Sequence, residues 1–150
     1  MPREFLYLAL IESGMDPAAV SPAEAVGLWQ FRGATARQYG LVVEDHLDER
    51  VDELRATSAA SRYLRDLYEQ FGTWELAAAA YNAGPGRVRR ALDASGAESY
   101  WELIEAGHLP LETRAYVPKF LAVVQLAAER AEMVAAASYE PGSSTTVTLD

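Results

Sequence analysis

Cysteine is absent from the sequence, and there are only two histidines, His46 and His108. Without cysteine, the chain cannot hold a disulfide bond, an iron–sulfur cluster or a thiolate zinc site. The two histidines lie far apart, and neither an HExxH pattern nor another paired-histidine spacing occurs. We therefore predict that the protein binds no metal and needs no other cofactor.

Positive charge is also scarce. Lys and Arg total 13 against 22 Asp and Glu, which gives a formal charge of −9 and a pI near 4.7. This balance argues against nucleic acid as a partner, because such binding relies on cations that neutralise phosphates. Apolar residues make up 50% of the 150 residues and charged residues only 23%, so a single folded domain is expected.

Long hydrophobic runs are missing as well. The first apolar run, Phe5–Ile11, is too short to span a bilayer and stops at Glu12. An alanine-rich segment near residues 121–137 is interrupted by charges, among them Glu129 and Arg130. We expect no transmembrane segment in this chain. No basic region followed by an apolar stretch and a cleavage site opens it, so we expect no export signal within this sequence.

Helical periodicity, broken by short Gly and Pro turns, predicts an all-α domain over residues 1–137. The Ser/Thr/Gly-rich residues 138–150 are predicted to form a flexible tail or linker. The first helix, Pro2–Ile11, is apolar all round and is predicted to be buried. Residues 41–50 are predicted to form an acidic loop, and the one strand signal is a weak one over 145–149.

The other helices are predicted from capping patterns and apolar spacing. A capping box at Ser21-Pro22-Ala23-Glu24 starts the next one. The predicted positions are Ser21 to Phe31, Ala34 to Tyr39, Val51 to Phe71, a helix capped by Thr73, a basic helix after Gly84-Pro85-Gly86, a helix capped by Ser99, and Thr113 to Ala137 with a kink or restart at Pro118.

Glu12 is the first candidate for chemistry. It follows seven apolar residues and lies in the last turn of the predicted first helix. Burial and the negative end of the helix dipole both raise a carboxyl pKa. A carboxyl that stays protonated near neutral pH can serve as a general acid. The alternative is a carboxylate on a solvated helix end. Asp16, the nearest other carboxylate, is predicted to be a turn residue before Pro17.

Uncharged polar and aromatic residues recur in the following segments. Gln30, beside Trp29 and Phe31, carries an amide that can bond sugar hydroxyls or acetamides. Tyr81 and Asn82 stand where an alanine-rich helix ends at a glycine turn. Together with the acid, these groups predict a carbohydrate-binding cleft. Taken singly, each aromatic residue is more typical of core packing.

The order of these motifs resembles that of a known family. Glu12-Ser13, Ser21, Gly27-Leu28-Trp29-Gln30, Ala80-Tyr81-Asn82-Ala83-Gly84 and Tyr116 follow one another as in the lytic transglycosylase catalytic (SLT) domain. The Gly-Leu-Trp-Gln form looks most like the membrane-bound type D branch. The similarity runs from Pro2 to about Ala128, and it implies a lysozyme-like helical fold.

The resemblance also implies roles for single residues. Glu12 takes the place of the sole catalytic acid and base, and Tyr116 that of a tyrosine whose hydroxyl reaches the catalytic carboxyl. Packing is the alternative for Tyr116, and an N-cap role is compatible with the function of Ser21. The residues implied on the substrate side are Ser13, Ser21, Gly27, Gln30, Tyr81 and Asn82.

The implied reaction cuts the MurNAc–GlcNAc β-1,4 bond of peptidoglycan without water and leaves 1,6-anhydro-MurNAc ends. The implied partners are glycan strands, the implied location is the cell envelope, in the periplasm or at the outer membrane, and a monomer is expected. A hydrolytic muramidase and a non-catalytic glycan-binding domain are the alternatives. A basic set is expected to offset the acidic charge near the glycan, unless it is only a solvated helix face: Arg87, Arg89, Arg90, Arg114 and Lys119.

Overall fold

The computed structural model describes residues 1–137. Within them, α-helices alternate with short turns, and one two-stranded antiparallel hairpin interrupts the series. The α-helices are α1 (Tyr7–Ser13), α2 (Gly33–Gln38), α3 (Glu53–Phe71), α4 (Trp74–Ala83), α5 (Pro85–Ser95), α6 (Tyr100–Glu105) and α7 (Leu111–Ala137). The strands are β1 (Val43–Glu44) and β2 (Leu47–Asp48), and 3-10 turns cover Arg3–Leu6 and Glu49–Val51.

Helix α4 forms the centre of the core. Four successive alanines, Ala77–Ala80, have no solvent exposure. Because their side chains are small, the neighbouring helices α3, α5 and α7 can all pack closely against this one helix. Tyr81 and Asn82 follow directly in the same helix, so the core also fixes two of the predicted site residues.

Helix α7 runs through Pro118 without the predicted break. Proline has no N–H, so the carbonyl of Arg114, four residues earlier, loses its helical partner. The buried Tyr100 hydroxyl supplies a replacement, because it donates to Arg114 O at 3.0 Å and to Thr113 O at 3.1 Å. The predicted restart was therefore wrong, because this contact from α6 compensates for the missing hydrogen bond, whereas the kink stays a prediction.

The N-terminal helix is less buried than predicted. Residues Arg3–Leu6 form a 3-10 turn, and only Tyr7–Ser13 is α-helical. Phe5 and Leu8 enter the core, but Leu6 is 47% and Leu10 43% exposed. The helix packs on one side against α7 and not on all sides, so its uniform apolarity did not indicate complete burial.

The predicted helix over 21–31 is absent, and these residues form a loop (the 20–31 loop) with isolated bridges between Val20, Val26 and Phe31. Its backbone takes positive φ at Glu24 (59°), Gly27 (83°) and Gln30 (48°), which no α-helix allows. Ser21 still caps locally, since its Oγ accepts the N–H of Ala25 at 3.1 Å. The capping signal was therefore correct for one turn and wrong for the helix.

The predicted acidic loop over 41–50 contains the β1–β2 hairpin, in which Val43 pairs with Asp48 and Glu44 with Leu47. Glu49 closes it, because its carboxylate accepts the N–H of Val42 at 2.9 Å. The all-α prediction therefore missed one small sheet. Runs of two residues per strand are too short to give an alternating pattern.

The other helix predictions are confirmed to within a few residues. Thr73 caps α4 by accepting the N–H of Leu76, and Ser99 caps α6 by accepting that of Glu102. Asp16 accepts the N–H of Ala18 at 2.8 Å, as a turn residue would.

Within residues 1–137, no helix is long and apolar enough to cross a membrane. The predicted tail and the weak strand over 145–149 lie outside the described residues.

Candidate active site

A cleft of about 760 Å³ opens between the end of α1, the 20–31 loop, the end of α4 with the turn that follows it, and the turn that precedes α7. It brings together five of the predicted site residues. These are Glu12, Ser21, Gln30, Tyr81 and Asn82. Tyr116 joins them through its contact with Glu12, whereas Ser13 and Gly27 do not line the cleft.

Glu12 and Tyr116, 104 residues apart, meet at this cleft. The Tyr116 hydroxyl donates to Glu12 Oε1 at 2.5 Å. Burial of the carboxyl raises the pKa of Glu12 above its usual value of 4.5, while the Tyr116 hydrogen bond opposes that rise. The rise predicted from the apolar run is thus confirmed. A partly buried acid, held by one neutral donor, is what a general acid requires.

Two further charges on α7 act on the acid. The Glu112 carboxylate raises the pKa of Glu12, and the Lys119 ammonium lowers it. Burial raises the pKa of Tyr116 well above 10, and the nearby Glu12 carboxyl raises it further. Tyr116 therefore keeps its proton across the physiological range, and it acts as the donor in the pair.

Tyr81 contributes its ring to the cleft, while its hydroxyl is engaged elsewhere. The hydroxyl donates to the backbone oxygen of Trp29 at 2.7 Å, and the ring packs 5.3 Å from that of Tyr63. Trp29 itself is 1% exposed and donates its Nε1–H to Thr57 Oγ1 at 2.9 Å. Trp29, which stands beside Gln30 in the segment predicted to form a carbohydrate-binding cleft, is thus part of the core.

Gln30 presents a hydrogen-bond acceptor to the cleft. Its Nε2 donates to the backbone oxygens of Ala19 (3.2 Å) and Gly27 (3.0 Å), which uses both amide protons. Within residues 1–137, no group donates to its Oε1. The side chain can therefore accept a hydrogen bond from a ligand but has no proton left to donate.

Asn82 is oriented by two residues at the start of α7. Its Oδ1 accepts the hydroxyl proton of Thr113 at 2.8 Å, and its Nδ2 donates to Glu112 Oε1 at 3.1 Å. One amide proton remains, so Asn82 is suited to donate to a ligand, the opposite polarity to Gln30. An acetamide, with one N–H and one C=O, can satisfy such a pair of amides.

Ser13 and Gly27 shape the 20–31 loop from outside the cleft. The Ser13 hydroxyl donates to Ala9 O at 3.0 Å and to Leu28 O at 2.9 Å, which ties the end of α1 to the loop. Gly27 lies so close to the backbone oxygen of Arg50 that a Cβ there would approach it to 2.0 Å. The glycine is therefore required by a close backbone contact as well as by its positive φ.

Glu112 and Thr113 belong to the site, although no role was predicted for them from the sequence. Both belong to the stretch before Tyr116, but an acidic residue in a first helical turn is also common where it has no function.

The residues of the predicted basic set have different surroundings. Arg87 lines the cleft and Arg89 lies over the Phe71 ring. Arg114 Nε is buried without a hydrogen-bond partner among the described residues.

Among residues 1–137, no group of three or more His, Asp or Glu side chains is arranged to hold a metal ion. The described cleft therefore offers the buried carboxyl of Glu12, a second carboxyl from Glu112, the Tyr116 phenol and two oriented amides. Such a set can protonate a leaving oxygen and bind the hydroxyl and acetamide groups of a sugar.

Comparison with known proteins places this arrangement in a family. The family model described as the transglycosylase SLT domain matches residues 1–104. The chain is 41% identical over 128 residues, 82% of its length, to the membrane-bound lytic murein transglycosylase D of Escherichia coli K12. It is 34% identical over 124 residues, 78% of its length, to the soluble lytic murein transglycosylase of the same strain. It spans 27% and 19% of these two relatives.

Solved structures agree. The 70 kDa soluble lytic transglycosylase of Escherichia coli superposes with a TM-score of 0.70 at 31% identity, covering 83% of this chain and 21% of that one. The lytic transglycosylase Slt of Pseudomonas aeruginosa, solved as an inactive glutamate-to-glutamine mutant, gives 0.69 at 27%, covering 86% and 22%. The lysozyme-like helical fold predicted from the motifs is confirmed, and the chain belongs to the transglycosylase SLT domain family.

Proposed function

We propose that this chain is a peptidoglycan lytic transglycosylase domain, in which Glu12 is the catalytic acid and then the base. The observation that carries the proposal is the hydrogen bond from Tyr116 to Glu12, 2.5 Å long, beside a cleft of sugar-binding size. Burial raises the pKa of Glu12, which favours the acid form that the first step needs. The relative from Pseudomonas aeruginosa was solved as an inactive mutant with glutamine for one glutamate, which supports an essential carboxyl in the family.

The reaction has two proton transfers through the same carboxyl. Glu12 protonates the glycosidic oxygen as the bond from C1 of MurNAc to that oxygen breaks. The resulting carboxylate then takes the proton of the C6 hydroxyl, and O6 bonds to C1 to close the 1,6-anhydro ring. The substrate's N-acetyl group stabilises the cationic C1, so no second carboxylate is needed. Tyr116 donates to the carboxylate between the two steps and stabilises it.

The remaining site residues act on substrate placement. Gln30 accepts and Asn82 donates hydrogen bonds to the sugar, Tyr81 offers its ring, and Ser21 lies in the cleft wall beside them. Ser13 and Gly27 serve the same purpose indirectly, because they hold the 20–31 loop. This assignment divides the residues implied on the substrate side into four that face the cleft and two that support it.

Hydrolysis is the second candidate, because a second carboxylate does line the cleft. Glu112 could activate a water molecule in place of the C6 hydroxyl. Its Oε1 already accepts the amide proton of Asn82, however, which ties it to the side-chain network at the start of α7. We therefore favour the internal attack by O6.

The two reactions differ by one water in their products. Purified sacculi are digested with the protein, and the released muropeptides are weighed by mass spectrometry. The proposal predicts products in the 1,6-anhydro form, lighter by one water than those of hydrolysis, and no release by Glu12→Gln. Products that carry the extra water would instead show that the protein is a muramidase. Binding to sacculi without any release would indicate a non-catalytic domain.

Peptidoglycan as partner places the protein in the cell envelope, as the names of its murein-acting relatives also indicate. A periplasmic or outer-membrane position is our finer proposal. Fractionation of cells that carry a tagged full-length gene would test it, since a cytoplasmic signal for the intact protein would contradict both statements.

A further inference from the structure

The 20–31 loop has little regular structure of its own, although it forms one wall of the cleft. Ala23, Ala25, Gln30 and Phe31 line the cleft from this loop. Three of the loop residues have positive φ, and two of these, Glu24 and Gln30, are not glycine. Such conformations persist only where the surroundings impose them.

One set of contacts holds Leu28 and Trp29 of the loop. Ser13 donates to Leu28 O, Tyr81 donates to Trp29 O, and Trp29 donates to Thr57. These contacts connect residues 28 and 29 to α1, α4 and α3. They do not reach Glu24 or Phe31, which lie on either side along the loop.

Arg50 holds those flanking residues. Its Nη1 donates to the backbone oxygens of Glu24 and Phe31, each at 3.1 Å. Its Nε and Nη2 bind the Asp48 carboxylate at 2.9 Å and 2.7 Å, which fixes the plane of the guanidinium. The side chain is 11% exposed, and the Arg50 backbone oxygen packs against Gly27.

We propose that Arg50 is a positioning residue for substrate binding: its guanidinium, oriented by Asp48, joins the backbone at Glu24 and Phe31 and thereby sets the position of Gln30. This inference rests on the proposed function, since it gives Gln30 a glycan to bind. Only arginine can fill the position, because one planar group must serve a carboxylate and two carbonyls together.

Arg50→Lys is the main variant. Lysine keeps the positive charge and can reach Asp48, but its single ammonium cannot also join both carbonyls. The free loop is then less ordered, and its side chains must become ordered when the glycan binds. We therefore expect a roughly three- to tenfold rise in KM for soluble glycan strands. We expect kcat and the pH profile to stay unchanged, because Glu12 and Tyr116 are held by α1 and α7.

Two controls separate positioning from stability. Arg55→Lys makes the same change five residues away, at an arginine that binds Glu49 and Asp52 but does not touch the loop. Val88→Ala lowers stability through a fully buried site on α5. Neither should raise KM. An equal rise in KM in Val88→Ala would overturn the proposal, because general loosening would then explain the effect.

Two measurements do not depend on turnover. In the Glu12→Gln background, Arg50→Lys should weaken the Kd for glycan strands by the same factor as KM. Amide NMR signals of Gly27 and Gln30 should move in the free Arg50→Lys protein. Unchanged affinity in an active enzyme rejects the inference alone. A wild-type protein that neither cleaves nor binds glycan strands rejects the proposed function together with the inference.

Discussion

The two walls of the cleft are built differently. On one side, Glu12 and Tyr116 project from the regular helices α1 and α7, and their hydrogen bond joins residues 104 positions apart. On the other side, Gln30 projects from an irregular loop with three positive φ values, held by side-chain bonds to its carbonyls. Helix packing thus positions the proposed acid and its phenol. Hydrogen bonds from a side chain to the loop carbonyls position Gln30, the proposed substrate contact.

This difference predicts that the two walls fail in different ways. Damage to the helical wall should change the rate of the chemical step and its pH dependence while the fold is kept. Damage to the loop wall should change binding or stability while the acid stays intact.

Glu12→Gln should cause the largest loss. The amide keeps an oxygen to accept the Tyr116 hydroxyl, so the fold is retained, but no proton can be transferred. Turnover on sacculi should fall by roughly 10²–10⁴-fold, the usual contribution of general acid–base catalysis. Glu129→Gln, the same change at an exposed position of α7, is the matched control. Wild-type turnover in Glu12→Gln would show that Glu12 is not the catalytic acid.

Tyr116→Phe should cost roughly ten- to hundredfold in kcat, because it removes one hydrogen bond to a charged partner, worth about 1.5–3 kcal/mol. The ring keeps its packing, so the melting temperature should change little. Since the Tyr116 bond lowers the pKa of Glu12, its loss should also move the alkaline fall in rate to higher pH. Unchanged turnover with a lower melting temperature would mean that Tyr116 only packs.

Gly27→Ala should damage the loop wall and thereby lower the stability of the fold. The new Cβ would approach the Arg50 oxygen to 2.0 Å, at a φ of +83°. We expect a loss of more than about 1 kcal/mol in the free energy of unfolding, measured by denaturant titration. Gly96→Ala has a similar φ of +70° but open space around the Cβ. The two variants should differ, and equal losses would show that the contact with Arg50 has no consequence.

The smallest effect concerns the stability of Glu12→Gln itself. Burial raises the pKa of Glu12, so above about pH 4 the unfolded chain has released a proton that the folded chain still holds. Stability of the wild type therefore falls as pH rises from the unfolded toward the folded pKa. The melting temperature of Glu12→Gln relative to wild type should rise through this window and then level off. A difference that is constant with pH would contradict burial of the acid.

Helices α4 and α6 could be predicted well from sequence. Caps at Thr73 and Ser99 and the alanine run before Tyr81 are local signals, and they placed α4 and α6 correctly. The pairing of Glu12 with Tyr116 followed from the family motif. No local pattern contains a contact across more than a hundred residues.

The loop wall could not be predicted in the same way. The capping box at Ser21 is a valid local signal, but burial of Trp29 and the bonds from Arg50 to Glu24 and Phe31 act over 19 to 28 residues. These distant contacts decide against a helix there. The role of Glu112 was missed for a related reason, because only the folded chain brings it to Asn82.

We propose that burial between α1 and α7 favours the protonated form of Glu12 beside the cleft. The pH dependence of kcat/KM on soluble glycan strands tests it most directly, since this ratio reports the ionisation of the free enzyme. We predict a rate that falls toward alkaline pH with an apparent pKa above the usual glutamate value of 4.5. A fall centred between about pH 4 and 5, where an unshifted glutamate titrates, would contradict the account.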